Sequence, residues 1–83
     1  MMADQFQYEG INFLPGQPGT GYHSFLLFES GVERPFGTFP ILVLGGEAAS
    51  MDARIAMAHR RFADKLRRYA DAVEAAAAAY EAR

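Results

Sequence analysis

A small α+β fold is what this 83-residue chain predicts: an antiparallel sheet of three to four short strands packed against one long C-terminal amphipathic helix. Three observations carry that expectation. Residues 50–82 hold neither proline nor glycine. Over that stretch Met51, Ile55, Ala58, Phe62, Leu66, Tyr69, Val73, Ala76 and Tyr80 recur in steps of three or four, the period of one helical face. Residues 22–29 and 41–44 are short dense runs of aromatic and branched side chains, and proline and glycine concentrate between them.

The elements follow in order. Residues 5–13 alternate weakly, with Phe6, Tyr8, Ile11 and Phe13 as the inward set and a bend or bulge at Gly10 to Asn12. This is one strand or two very short ones. Residues 14–21 hold two prolines and three glycines in eight positions, which leaves no room for a regular element. Residues 22–29 form the clearest strand, apolar enough to be covered on both faces. Ser30-Gly31 turns the chain back into a second arm at Val32, which Arg34-Pro35 soon interrupts. Phe36 and Phe39 then sit in an aromatic loop at 34–40, and Ile41 to Leu44 is a strand apolar enough for a central position. The helix spans about 47–82, with Ser50 as its cap and Asp52 in its first turn; a start at Gly46 is equally compatible.

At this length the chain is a single domain, 1–83, near the limit at which one core suffices. Fifteen alanines inflate the 51% apolar fraction, so the core formers are few and a partner would add stability. There is no cysteine, which removes disulfides, thiolate chemistry and cysteine-ligated zinc. The start is acidic and polar, unlike a secretory signal, and the longest apolar run is far too short for a bilayer. A soluble cytoplasmic protein is expected, with no membrane contact.

Charge runs in blocks. Residues 1–53 carry Arg34 against six acids, net −5. Residues 54–68 carry six basic residues against Asp64, net +5. Residues 69–83 carry Arg83 against three acids, net −2. Arg54, Arg61, Lys65 and Arg68 follow one flank of the apolar stripe. They form a basic patch that could track an acidic protein surface or a phosphate backbone. The plainer account is a solvated face: Arg60, Asp64, Arg67, Arg68 and Asp71 are arranged as i,i+4 ion pairs, and the acidic first half supplies counter-charge.

Chemistry-bearing patterns are weak. The glycines at 16, 19 and 21 lack the Lys-Ser/Thr of a phosphate loop and do not open a helix. Tyr22, His23 and Ser24 are adjacent on a strand and point to alternate faces, so they do not converge as a catalytic set. His23 and His59 lack metal-ligand spacing. No catalytic, cofactor or metal residue is assigned, and the chain is expected not to be an enzyme.

The helix outruns any sheet the strands could build. Its stripe continues through Tyr69, Val73, Ala76 and Tyr80, pairing with Phe62 and Leu66 as a seam at heptad spacing. Alanines 75–79 would let two backbones approach closely, so an antiparallel homodimer is expected there, the alternative being frayed last turns. Phe36 and Phe39 are the second candidate contact, or else plugs for the open end of the core. The expected function is a protein-interaction module that occupies a partner's surface. Its size and composition are those of many phage-encoded inhibitors and accessory proteins. Nucleic-acid binding through the basic flank is the alternative, and a small ligand-binding protein or enzyme a distant third.

Overall fold

The computed structural model describes residues 5–83. Three strands, β1 (Gln5–Phe13), β2 (Gly21–Phe28) and β3 (Gly37–Val43), precede one helix, α1 (Met51–Glu81). The sheet is antiparallel in the order β1-β2-β3. This is the small α+β architecture that the sequence predicts. The expectation for residue 4 and the leader reading of the first four residues lie outside the described residues.

β1 is one strand, with a bulge between Tyr8 and Gly10. Gly10 takes φ 120°, a conformation that L side chains rarely adopt. The extra residue explains why Tyr8 and Ile11, three apart, share a face. Tyr8 pairs with Phe25 and Ile11 with His23, both pairs on the helix side. Residues 14–20 are the expected loop, closed by Leu14 N–H donating to Thr20 O at 2.8 Å.

The second half of the sheet departs from expectation. No strand forms at Val32, which is 45% exposed. Instead residues 29–36 form a wide loop turned at Gly31 (φ 77°), and the ladder resumes with Phe36 N–H donating to Leu27 O at 2.9 Å. Pro35 removes one donor and disfavours helical backbone at Arg34, and the chain bends at residues 33–34 instead of continuing as a ladder, so a tight hairpin gives way. Phe39 and Pro40 belong to β3 rather than to an aromatic loop. β3 is an edge strand, not a central one, because Pro40 has no N–H to offer a further neighbour.

The core is one layer deep: Phe25, Ile41 and Val43 from the sheet against Ala58 and Phe62 from the helix, with Tyr8, Leu27, Phe39 and Met57 at its margin. Phe25 and Phe62 stack at 4.4 Å between ring centroids. Among the described residues, the opposite sheet face, carrying Tyr22, Leu26, Phe28 and Leu42, has no layer over it, so β2 is covered on one face only.

The helix starts at Met51. Ala53 N–H donates to Ser50 Oγ at 3.1 Å, the cap expected at that residue. The earlier start at Gly46 is not taken. Gly46 has φ 88°, and the Glu47 carboxylate accepts from Leu44 N–H at 2.6 Å, which closes a separate turn. Thirty-one helical residues span about 46 Å. Beyond Leu66 every helix residue is exposed. The stripe therefore divides where the sheet ends, and Tyr69, Val73 and Tyr80 are 62–68% exposed.

Candidate interaction surface

The expected contact residues occupy two places. Tyr69, Val73, Ala76 and Tyr80 lie on the projecting half of α1, all exposed. Phe36 stands at the end of the loop before β3, 60% exposed, with its ring edge-on to Phe39 at 6.3 Å. Phe39 itself is half-buried and reaches Phe62 at 5.9 Å, so it serves the core more than the surface.

Between these places lies a feature that periodicity did not reveal. A groove of about 860 Å³ runs where the sheet ends and the helix continues, lined by Phe6, Phe36, His59, Phe62, Ala63 and Leu66 among others. Its helical wall is the same stripe that runs on to Tyr69 and Val73. Groove and stripe are continuous along the helix, and Gln5, Glu29 and Ser30 give the groove a polar edge. The groove exists because β1 starts, β2 ends and the 29–36 loop crosses at one level, an arrangement that requires the strand register.

The basic row is not four free charges. Arg54 donates from Nη1 to Gly19 O and, at 3.5 Å, to Leu44 O. It pins the 14–20 loop to the end of β3. Arg61 donates to Leu42 O at 2.8 Å and forms a two-pronged ion pair with Glu47, one arm at 3.2 Å. That hydrogen bonding holds the Glu47 carboxyl below, and the Arg61 guanidinium above, their ordinary values. Arg68 pairs with Asp64 at 3.1 Å, one of the expected i,i+4 bridges, with both side chains well exposed. Lys65 lines a shallow hollow beside Leu42 with Asp64 and Arg68. The acidic first half thus supplies counter-charge within the fold through Glu47, and Arg54 and Arg61 clamp loops to the helix.

The two histidines sit in the aromatic layer. His23 is fully buried, with Nδ1 2.8 Å from the Tyr8 hydroxyl and Nε2 buried without a hydrogen-bond partner among the described residues. Burial pushes its pKa down, with smaller contributions from Arg54 and His59, and burial pushes the Tyr8 phenol up. His59 places Nδ1 2.7 Å from Ile55 O, so Nδ1–H is the donor. Its ring meets Phe25 edge-on at 4.9 Å and Tyr8 at 5.3 Å. Tyr22 and Ser24 point away from His23, on the other sheet face, as strand alternation requires.

No protein-family profile matches the chain, and neither curated proteins nor solved structures give a significant match. No helix among the described residues is long and apolar enough to cross a membrane.

Proposed function

We propose that this protein is a protein–protein interaction module. It self-associates through the second half of α1 and acts by occupying a partner's surface, as cytoplasmic inhibitor or accessory proteins do. One observation carries the reading: the helix keeps its apolar stripe for about four turns after the sheet has ended. Tyr69, Val73 and Tyr80 are each about two-thirds exposed there. Burying such a side chain is worth roughly 1.5–3 kcal/mol, which an isolated chain would forgo. A spacer helix has no need of that stripe; alternating charges and alanine would hold it. The Phe36 loop and the groove extend the same surface, and Lys65 and Arg68 at its flank suit an acidic partner.

Equilibrium sedimentation tests the reading. The wild-type protein is expected to sediment above its monomer mass of 9.1 kDa. Val73→Glu places a charge in the seam and is expected to return it to monomer with helix content intact. A wild-type chain that stays monomeric at high concentration would remove self-association from the proposal.

A further inference from the structure

The structure assigns a partner and a register to this surface: the uncovered half of α1 pairs antiparallel with the same segment of a second copy. Tyr69 faces Val73, Leu66 faces Ala76 and Phe62 faces Tyr80, so each copy's last helical turn closes the other's groove. The inference rests on the self-association reading above and goes beyond it by fixing the register and the contacts.

Four observations lead there. The first is shape. With a two-fold axis at the level of Asp71, every stripe residue from Phe62 to Tyr80 meets another stripe residue. A large side chain faces a smaller one at Leu66/Ala76 and Tyr69/Val73, the arrangement that lets layers interdigitate. Parallel pairing at zero offset would set Tyr69 on Tyr69 and leave Ala76 on Ala76 as a gap.

The second is the seam's flanks. Positions 63, 65, 70, 72, 77 and 79 border the stripe at heptad spacing, and all but Lys65 are alanine. Small flanks allow close backbone approach, and no ring of charge keeps the helices apart.

Charge is the third. Residues 54–68 are net +5 and residues 69–83 net −2, so antiparallel pairing sets a basic block against an acidic one and parallel pairing sets like on like. A two-fold interface requires such a self-complementary pattern.

The groove is the fourth. In this register Tyr80 of the second copy arrives at Phe62 and Ala63, which form the groove's helical wall. Arg83 stacks on Tyr80 at 4.3 Å and travels with it, and the groove's far lip carries Glu29. The groove is therefore incomplete within one chain. Leu66, Tyr69, Val73 and Tyr80, with Phe6 and Phe36 at the groove, each offer on the order of 100 Å², giving about 1,200 Å² in total over both copies, at the lower edge of specific interfaces.

The chain has no cysteine, which makes cross-linking unambiguous. Leu66→Cys and Ala76→Cys are made as separate chains; both positions are exposed, so the core is untouched. Under mild oxidation each alone is expected to stay uncross-linked, and their mixture to give a covalent dimer at least tenfold in excess of either self-linked species. Self-linked Leu66→Cys dimers would overturn the antiparallel register while leaving self-association standing. So would a wild-type dimer whose mixed variants do not link. A wild-type chain that sediments as a monomer would overturn both, and would hand the stripe to a different protein.

Discussion

Replacing Phe62 by alanine tests where the helix stops being part of the fold. Phe62 is the one large helix side chain that is buried, at 5% exposure. Its ring stacks on Phe25 at 4.4 Å and meets Phe39 at 5.9 Å, so it joins the central and edge strands to the helix. A buried Phe→Ala change costs about 3–5 kcal/mol, from lost transfer energy and from the space left behind. Here the groove already opens beside Phe62, so water can reach that space and the lower end, about 3 kcal/mol, is expected. A chain of this size has a total stability of about 4–12 kcal/mol, so the change removes a quarter to most of it. Tyr69, seven residues further along the same stripe and 62% exposed, is expected to cost the monomer less than about 0.5 kcal/mol when cut to alanine. The assay is urea unfolding followed by circular dichroism and tyrosine fluorescence, at protein concentrations low enough to suppress association. Equal costs for the two variants would refute the division of the helix into a packed and a projecting half. So would a Phe62→Ala midpoint within error of wild type.

Two further outcomes follow from the geometry. Burial holds His23 below its ordinary pKa, with the positive Arg54 and the neighbouring His59 adding to the effect and the Tyr8 hydroxyl bonded to its Nδ1. The folded state therefore takes up that proton at lower pH than the unfolded chain. Stability from neutral His23 is complete above about pH 6.5 and falls as pH drops through and below that value, by at most about 1.4 kcal/mol per pH unit. Glu47, whose pKa is lowered, loses its contribution only below the ordinary carboxylate range, so unfolding between pH 7 and 5 reports mainly on the histidine. His23→Gln should flatten that slope, and an unchanged slope would show that the acid sensitivity arises elsewhere. Separately, a Cβ on Gly45 would lie 2.1 Å from the Pro18 carbonyl oxygen, where the 14–20 loop crosses the end of β3. Gly45→Ala should cost about 1–3 kcal/mol in the same unfolding assay, because backbone must move, whereas a tolerated alanine would show that the loop is not held there.

Much of the fold is legible in the residues because its signals are local. A three- to four-residue period free of proline and glycine predicts a helix, and Ser50 marks its start, because capping depends on atoms within one turn. The bulge near Gly10 and the loop at 14–20 were readable for the same reason. The misplacements at Val32, Phe39 and Ile41 share one cause. Strand pairing is a long-range choice, and Ser30-Gly31 before Val32 suggests a tight hairpin that Arg34-Pro35 prevents.

Composition and periodicity alone determined the helix, its division into a first half that completes a core and a second half with more stripe than the chain covers, and the alternating charge blocks along it. Only the tertiary structure decided what those features meet. It put Arg54 and Arg61 onto loop carbonyls and Glu47, took them out of a free basic row, and buried His23 against Tyr8. It also brought Phe6, Phe36 and Phe62 together from three distant segments as the walls of a groove. Periodicity reports which face of an element is apolar; which distant chain covers that face, and where cover ends, is settled by strand register and loop path.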